Sequence, residues 1–223
     1  MVRIAIVPYR DRELQLGRIL PVLQRNFDRV VVAEQAPGRP FNRGLAKNVG
    51  YVLAAPLSTD TVVFHDVDLL AGGTGSAQYR SVDDGRIEHL YGHLHCLGGV
   101  VAMRAATVVA LDGFCNNLWE WGGEDRALQL TAAARRIPID RSRFTQRFEN
   151  AVWFAELAAD GVPQTNLAEA KALFYATAQT RKPVLVTPNP VTSRNLAEAS
   201  VIARGRAALV HRDDGVERWV FEP

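Results

Sequence analysis

Asp66-Val67-Asp68 places two carboxylates one residue apart, just after the apolar run TVVF at 61–64 and His65. A strand that ends in such a pair delivers both acids into a loop, where they can meet a ligand. Hard divalent cations take oxygen ligands, and Mg²⁺ or Mn²⁺ sites often use one or two carboxylates with substrate phosphates completing the shell. A plain solvated turn has the same spacing, so these residues alone leave both readings open. A second acidic group, Trp119-Glu120-Trp121-Gly122-Gly123-Glu124-Asp125, leads into a helical pattern at 126–135. Acids in a first helical turn suit the macrodipole, so capping would account for Glu124 and Asp125. It does not account for the two tryptophans and the paired glycines. Indole faces beside carboxylates suit a carbohydrate, which presents apolar C–H faces and hydroxyl edges. A third cluster joins Pro8-Tyr9-Arg10-Asp11-Arg12 to Phe41-Asn42-Arg43-Gly44. Arginines can hold phosphates bidentately, and Tyr9 or Phe41 can pack on a base. Surface ion pairing is the alternative for these residues.

Something must position the three clusters. Residues 2–7 (VRIAIV) read as a buried strand, 12–26 as a helix bent by Pro21, and 28–34 (DRVVVAE) as a second strand. A helix at 43–55 and a strand at 61–64 follow. This alternation predicts an α/β fold with a doubly wound parallel sheet, whose ligands bind beyond the carboxyl ends of the strands. Residues 8–12 and 66–68 lie at such ends. Further on, 99–111 reads as a strand and short helix, with helices at about 150–160, 166–179 and 195–203 and a strand at 183–187. A terminal hairpin turns at Asp213-Asp214-Gly215. There is no repeat or low-complexity linker, so 1–223 reads as one domain.

Composition narrows the function classes. A chain of 223 residues buries roughly 70% of its unfolded surface and needs no staple. With 48% hydrophobic and 22% charged residues it is not disordered. Twenty-six basic residues against 24 acidic, net +2, weigh against a duplex-binding protein, so no nucleic-acid partner is expected. No run of 18 apolar residues is present to span a bilayer. The N-terminus lacks a signal-peptide pattern, so the expected location is the cytoplasm, the alternative being a chain trimmed of its anchor. Cys96 and Cys115, the only cysteines, are then expected as free thiols.

Five segments, VPYRDR, FNRGLAKNVG, FHDVDLL, LGGVVAMR and LDGFCNNLWEWGGED, occur in this order over residues 3–130. In sequence and spacing they resemble the β-1,4-galactosyltransferase family, glycosyltransferase family 7, with a weaker echo at 146–161. The resemblance implies a GT-A type nucleotide-diphospho-sugar transferase fold, with a mostly parallel central sheet flanked by helices. Residues 1–135 would be the nucleotide-sugar and catalytic core, and 136–223 a helical and hairpin extension with no firm boundary. It implies inverting transfer of a hexose, galactose or N-acetylgalactosamine, from a UDP-sugar to a glycan or glycoconjugate acceptor, helped by Mn²⁺ or Mg²⁺. Position by position, Pro8, Arg10 and Arg12 would line the uridine, and Phe41 and Arg43 the base and phosphates. Asp66 would lie near the ribose and Asp68 would ligate the metal. Gly99, Trp121, Gly122 and Gly123 would border the sugars, Glu124 would hold an acceptor hydroxyl, and Asp125 would be the general base. His65 is expected to pack, and His93 and His95 to belong to an acceptor-side segment rather than a zinc site.

The chain departs from the family at two places: of the run of acids after the Gly-Gly only Glu124-Asp125 remain, followed by Arg126-Ala127, and the metal site is incomplete. The family draws further metal ligands from a Met-x-x-His segment, whereas residues 136–146 (RIPIDRSRFTQ) hold neither Met nor His. His211 is the downstream candidate for that role. A protein that binds sugar nucleotide or glycan without turnover is the competing reading. The presence of both Glu124 and Asp125 favours the enzyme.

Overall fold

In the computed structural model the described residues are 1–72, 78–120, 122–149, 153–179 and 185–223. Strand β1 (Arg3–Tyr9) has Ile4, Ala5, Ile6 and Val7 wholly buried. It is followed by α1 (Glu13–Asn26), β2 (Arg29–Gln35), α2 (Arg43–Ala54) and β3 (Thr61–His65). β1 lies between β2 and β3 and runs parallel to both, with Ile6 opposite Val31 on one side and Phe64 on the other. Side chains on a strand alternate between faces, and both faces of β1 are covered. Ala5 and Val7 meet Leu16, Ile19 and Leu23 of α1, while Ile4 and Ile6 join Tyr51 of α2 and Phe64. Burying each of these large aliphatic side chains is worth about 1.5–3 kcal/mol. α1 continues through Pro21, whose missing N–H costs it one helical hydrogen bond.

The remaining elements are β4 (Leu69–Ala71), β5 (Ile87–Gly92), β6 (Val100–Arg104), α3 (Ala105–Leu111) and α4 (Glu124–Ala134). β7 (Ile139–Asp140), β8 (Thr145–Gln146), β9 (Phe154–Glu156), α5 (Leu167–Gln179), α6 (Asn195–Arg206), β10 (Ala207–Asp213) and β11 (Val216–Phe221) complete the chain. The central sheet has the order β10-β11-β2-β1-β3-β6-β5-β7, with β8 also on β5. It is mixed: β6 runs antiparallel to β3 and β5, and β10 antiparallel to β11.

Two expectations change beyond residue 136. Where the sequence predicts a helix over 150–160, residues 154–156 form β9, antiparallel to β4 with Leu69 opposite Glu156. Phe154 and Glu156 are both buried with Ala155 between them, so the burial period here is two. Of the strand predicted at 183–187, residues 185–187 are irregular, and 183 and 184 lie outside the described residues. The terminal hairpin forms at the predicted turn, but it is no appendage. β11 joins the sheet parallel to β2, with Arg218 opposite Val32, and α6 packs on α2.

Candidate active site

The carboxyl ends of β1 and β3 open on one cleft of about 420 Å³. Pro8, Arg10 and Arg12 line it from β1, Asp66 and Asp68 from β3, and Phe41 and Arg43 from the start of α2. Asn42 fixes that start. Its side chain accepts from the Leu45 N–H at 2.9 Å and donates to the Asn116 carbonyl at 2.6 Å, tying the loop before α4 to the helix. Gly44 lets the two segments touch, since a Cβ there would sit 2.6 Å from the Cys115 carbonyl oxygen and 3.1 Å from Glu124 Cβ.

The acid pairs meet around Arg43. Its Nη1 lies 3.3 Å from Asp66 Oδ2, its Nη2 lies 3.6 Å from Asp125 Oδ2, and its Nε donates to Glu124. Lys47, one turn further along α2 and wholly buried, puts Nζ 3.4 Å from Asp66 Oδ1 and 3.9 Å from Glu124 Oε1. That ammonium also sits 4.8 Å from the centre of the Phe114 ring. Burial works against charge on Arg43, but Glu124, Asp66 and Asp125 outweigh it and hold the guanidinium well above its ordinary range. Burial likewise raises the Asp66 carboxyl, yet Lys47, Arg43 and Arg147 together hold it down at about 2.

Two positions named from the resemblance are engaged in ion pairs here. Arg43 borders the cleft, but its guanidinium is committed to three carboxylates rather than free for phosphates or base. Glu124 is buried against Arg43 and Lys47. Asp125 is the more open of that pair. Its Oδ1 accepts from the Arg126 N–H at 2.7 Å, and the Cys96 thiol donates to its carboxylate. Burial first, and Asp125 next, push that thiol up to about 12. A Cβ on Gly98 would lie 2.7 Å from Asp125 Oδ2.

The other predicted positions fall as follows. Arg10 donates to the Arg39 carbonyl at 2.6 Å and lies over the Phe41 ring at 5.3 Å, while Arg12 is exposed. The Gly99 carbonyl accepts from the Asp66 N–H at 3.0 Å, joining the end of β3 to the start of β6. Gly122 precedes Gly123, which caps α4; Trp121 lies outside the described residues. His65 is buried, bonds Tyr79 Oη at 2.7 Å and is pushed down by burial to about 4, so it packs as a neutral ring. His93 stacks among Phe148, Phe174 and Tyr175, and His95 is exposed, which gives no zinc pair.

His211 is not brought to Asp68. It sits on β10, four strands from β3, or roughly 19 Å at the usual strand spacing. There it lines a different cavity of about 590 Å³, with Glu13, Glu34 and Arg218. Among the described residues no group of three or more His, Cys, Asp or Glu side chains could hold a metal ion. Beside Asp68 lies a cation instead. Arg147 Nη2 is 4.0 Å from Asp68 Oδ2 and 2.5 Å from Glu156 Oε2, and Glu156 accepts from Tyr91 Oη at 2.8 Å. Burial raises the Asp68 carboxyl, with Arg147 opposing and Asp66 adding to the rise.

Lys47, Arg147, Glu156 and Cys96 are the site residues that sequence reasoning misses. Lys47 was findable, because it stands four residues after Arg43 on a helix and so shares its face. Arg147 and Glu156 carry no such signal without the β4–β9 pairing.

The model for the N-terminal region of glycosyl transferase group 7 matches residues 1–77, and that for the N-terminal domain of galactosyltransferase matches residues 87–152. Together they take in well over half of the chain, which belongs to glycosyl transferase group 7. Human beta-1,4-galactosyltransferase 4 is 36% identical over 164 residues, covering 62% of this chain and 45% of the relative. Beta-1,4-galactosyltransferase 5 of Danio rerio is 33% identical over 135 residues, covering 54% and 35%. The chain thus spans less than half the length of the curated relatives it matches. The fold is that of the catalytic domain of Drosophila beta1,4-galactosyltransferase 7 in complex with xylobiose, at TM-score 0.60, 18% identity and coverage of 99% and 92%. A mutant of that enzyme, complexed with manganese, UDP-Gal and xylobiose, gives TM-score 0.63, 17% identity and coverage of 100% and 93%. This is the GT-A architecture.

Proposed function

We propose that the chain is an inverting glycosyltransferase that moves galactose or N-acetylgalactosamine from a UDP-sugar to a glycan acceptor. The observation that carries this reading is that Arg43, which lines the cleft with Asp66 and Asp68, also pairs with Glu124 and Asp125, so the end of β3 and the start of α4 meet across it. Relatives named as galactosyltransferases, and a neighbour complexed with UDP-Gal, support the donor class. Phe41 offers the base a ring at the cleft wall, and Arg10 and Arg12 stand beside it. Asp125 takes the proton of the incoming hydroxyl as its oxygen attacks the anomeric carbon. The bond from that carbon to the phosphate oxygen breaks on the opposite face, and its electron pair leaves with UDP. Help from a positioned base is worth roughly 10²–10⁴-fold. Arg43 and Lys47 keep Asp66 and Glu124 paired, so the cleft carries a fixed field beside the oxocarbenium-like centre.

Manganese belongs to the neighbour's complex. Among the described residues the side chains do not fit a resident divalent ion: Asp68 is an open carboxylate with a guanidinium facing it, and His211 is remote. No step is drawn through such an ion. The test is UDP release from UDP-galactose and UDP-N-acetylgalactosamine, with and without xylobiose or N-acetylglucosamine as acceptor. Acceptor-dependent release is expected. UDP binding with no release for any pair would replace this reading by the non-catalytic one.

A further inference from the structure

We infer that Arg147 is the cation that receives the departing diphosphate, in the place beside Asp68 where a divalent ion would otherwise act. The inference rests on the transferase reading and deepens it. An inverting transfer that releases UDP moves an electron pair onto a phosphate oxygen, and positive charge must meet it. The other cations of the cleft are largely spoken for. Arg43 serves three carboxylates, Lys47 is buried against two, and Arg10 donates to the Arg39 carbonyl, while Arg12 lines the cleft as an exposed cation on the β1 side. Asp68 itself lines the cleft and would repel a diphosphate unless a cation stood by it.

Arg147 is built to be that cation. Its backbone N–H donates to the Gly92 carbonyl at 2.7 Å, which anchors it at the end of β8. Its guanidinium lies 5.1 Å over the Phe148 ring and 4.8 Å over the Phe174 ring. Glu156 takes only Nη2, while Nε is buried and has no hydrogen-bond partner. A guanidinium serving Glu156 alone would present two parallel N–H groups to it. Tyr91 Oη already holds Glu156 Oε1, so the carboxylate takes one guanidinium contact through Oε2, and Arg147 keeps hydrogen-bonding capacity beside Asp68. In the step itself the acceptor oxygen–carbon bond forms, the carbon–phosphate oxygen bond breaks, and the proton goes to Asp125. Arg147 N–H groups then donate to the phosphate oxygens that gain the charge. The balance needs no further co-reactant, and a divalent ion becomes dispensable.

The experiment is a calorimetric titration of the whole chain with UDP and, separately, with uridine, in EDTA and again in excess Mn²⁺. Wild type is expected to bind UDP in EDTA, with Mn²⁺ changing the affinity by less than threefold. Arg147→Met should weaken UDP roughly 10- to 100-fold, the scale of a lost charge-assisted contact, and leave uridine unchanged. Because Arg147→Met strands the buried Glu156 carboxylate, Glu156→Gln and the double variant Arg147→Met/Glu156→Gln are run beside it, with thermal melts. If Arg147 holds diphosphate, Glu156→Gln keeps UDP affinity and the double variant loses it. Equal UDP affinity in those two proteins would overturn the inference, as would a tenfold or greater gain from Mn²⁺ in wild type. A wild type that binds UDP under neither condition would bring down the transferase reading itself, and this one with it.

Discussion

The fold divides both acidic motifs in the same way. Asp66 and Glu124 turn inward, with side chains 9% and 3% exposed, and share the buried cations Arg43 and Lys47. Asp68 and Asp125 turn outward, 40% and 15% exposed, and keep looser contacts. In each pair one acid is therefore held by two buried cations inside the protein, and its neighbour is the more exposed and more loosely paired carboxylate. The inner acids hold two segments of the chain together, since a buried carboxylate needs its cation and the same cation serves both segments. The outer acids inherit that alignment and remain free for chemistry.

Four measurements would break or sharpen this division. The largest effect is expected for Asp125→Asn, an outer acid: turnover should fall roughly 10²–10⁴-fold with UDP affinity within a few-fold and an unchanged melt. Near-normal turnover in a steady-state assay would end its role as base. Lys47→Met tests the inner pair, by leaving Asp66 and Glu124 to Arg43 alone. Urea unfolding should show a loss of about 3–5 kcal/mol, the cost of stranding buried charge. A loss below about 1 kcal/mol would mean the inner acids do not depend on this ammonium. Gly98→Ala places a methyl group against Asp125 Oδ2, and displacing a base by a fraction of an ångström to one ångström should cost up to about 100-fold in kcat with stability little changed. An unaltered kcat would show that the outer acid is not held where it stands.

The smallest signal is chemical. The Cys96 thiol, raised to about 12 by burial and by Asp125, stays protonated at pH 8–9 and should resist iodoacetamide until the protein unfolds. The sign of its linkage follows. A folded value above the unfolded value near 9 contributes stability that is complete below pH 9 and is lost as pH rises toward 12. Rapid labelling of Cys96 in the native protein, read by mass spectrometry, would place it in the open rather than against the outer acid.

The first half of the chain was legible because its signals are local. β1, α1, β2, α2 and β3 are apolar runs and helical periods with few competing readings, and Arg10, Phe41, Asp66 and Asp68 stand at strand or helix ends where ligands gather. The later part was less so, because pairing across the chain decides it. Phe154-Ala155-Glu156 becomes a strand only because β4 is there to receive it, and Glu156 is buried only because Arg147 and Tyr91 meet it. His211 misled for the opposite reason: a histidine late in the chain shows its residue type but not its strand's position in the sheet. Lys47 shows a third limit. A lysine inside a helix reads as surface, and only the acids contributed by β3 and α4 explain why it is buried.

The place of β11 bears on how such a molecule is made. β2 is among the earliest segments synthesised, yet its second neighbour in the sheet is residues 216–221. Until that strand emerges, Val30, Val31 and Val32 present an unpaired edge, the kind of template on which chains stick to one another. Pairing between distant segments also makes assembly slow. A cell expressing this protein would therefore carry nascent chains with an adhesive flank for most of translation, and losing residues 207–223 would make that flank permanent.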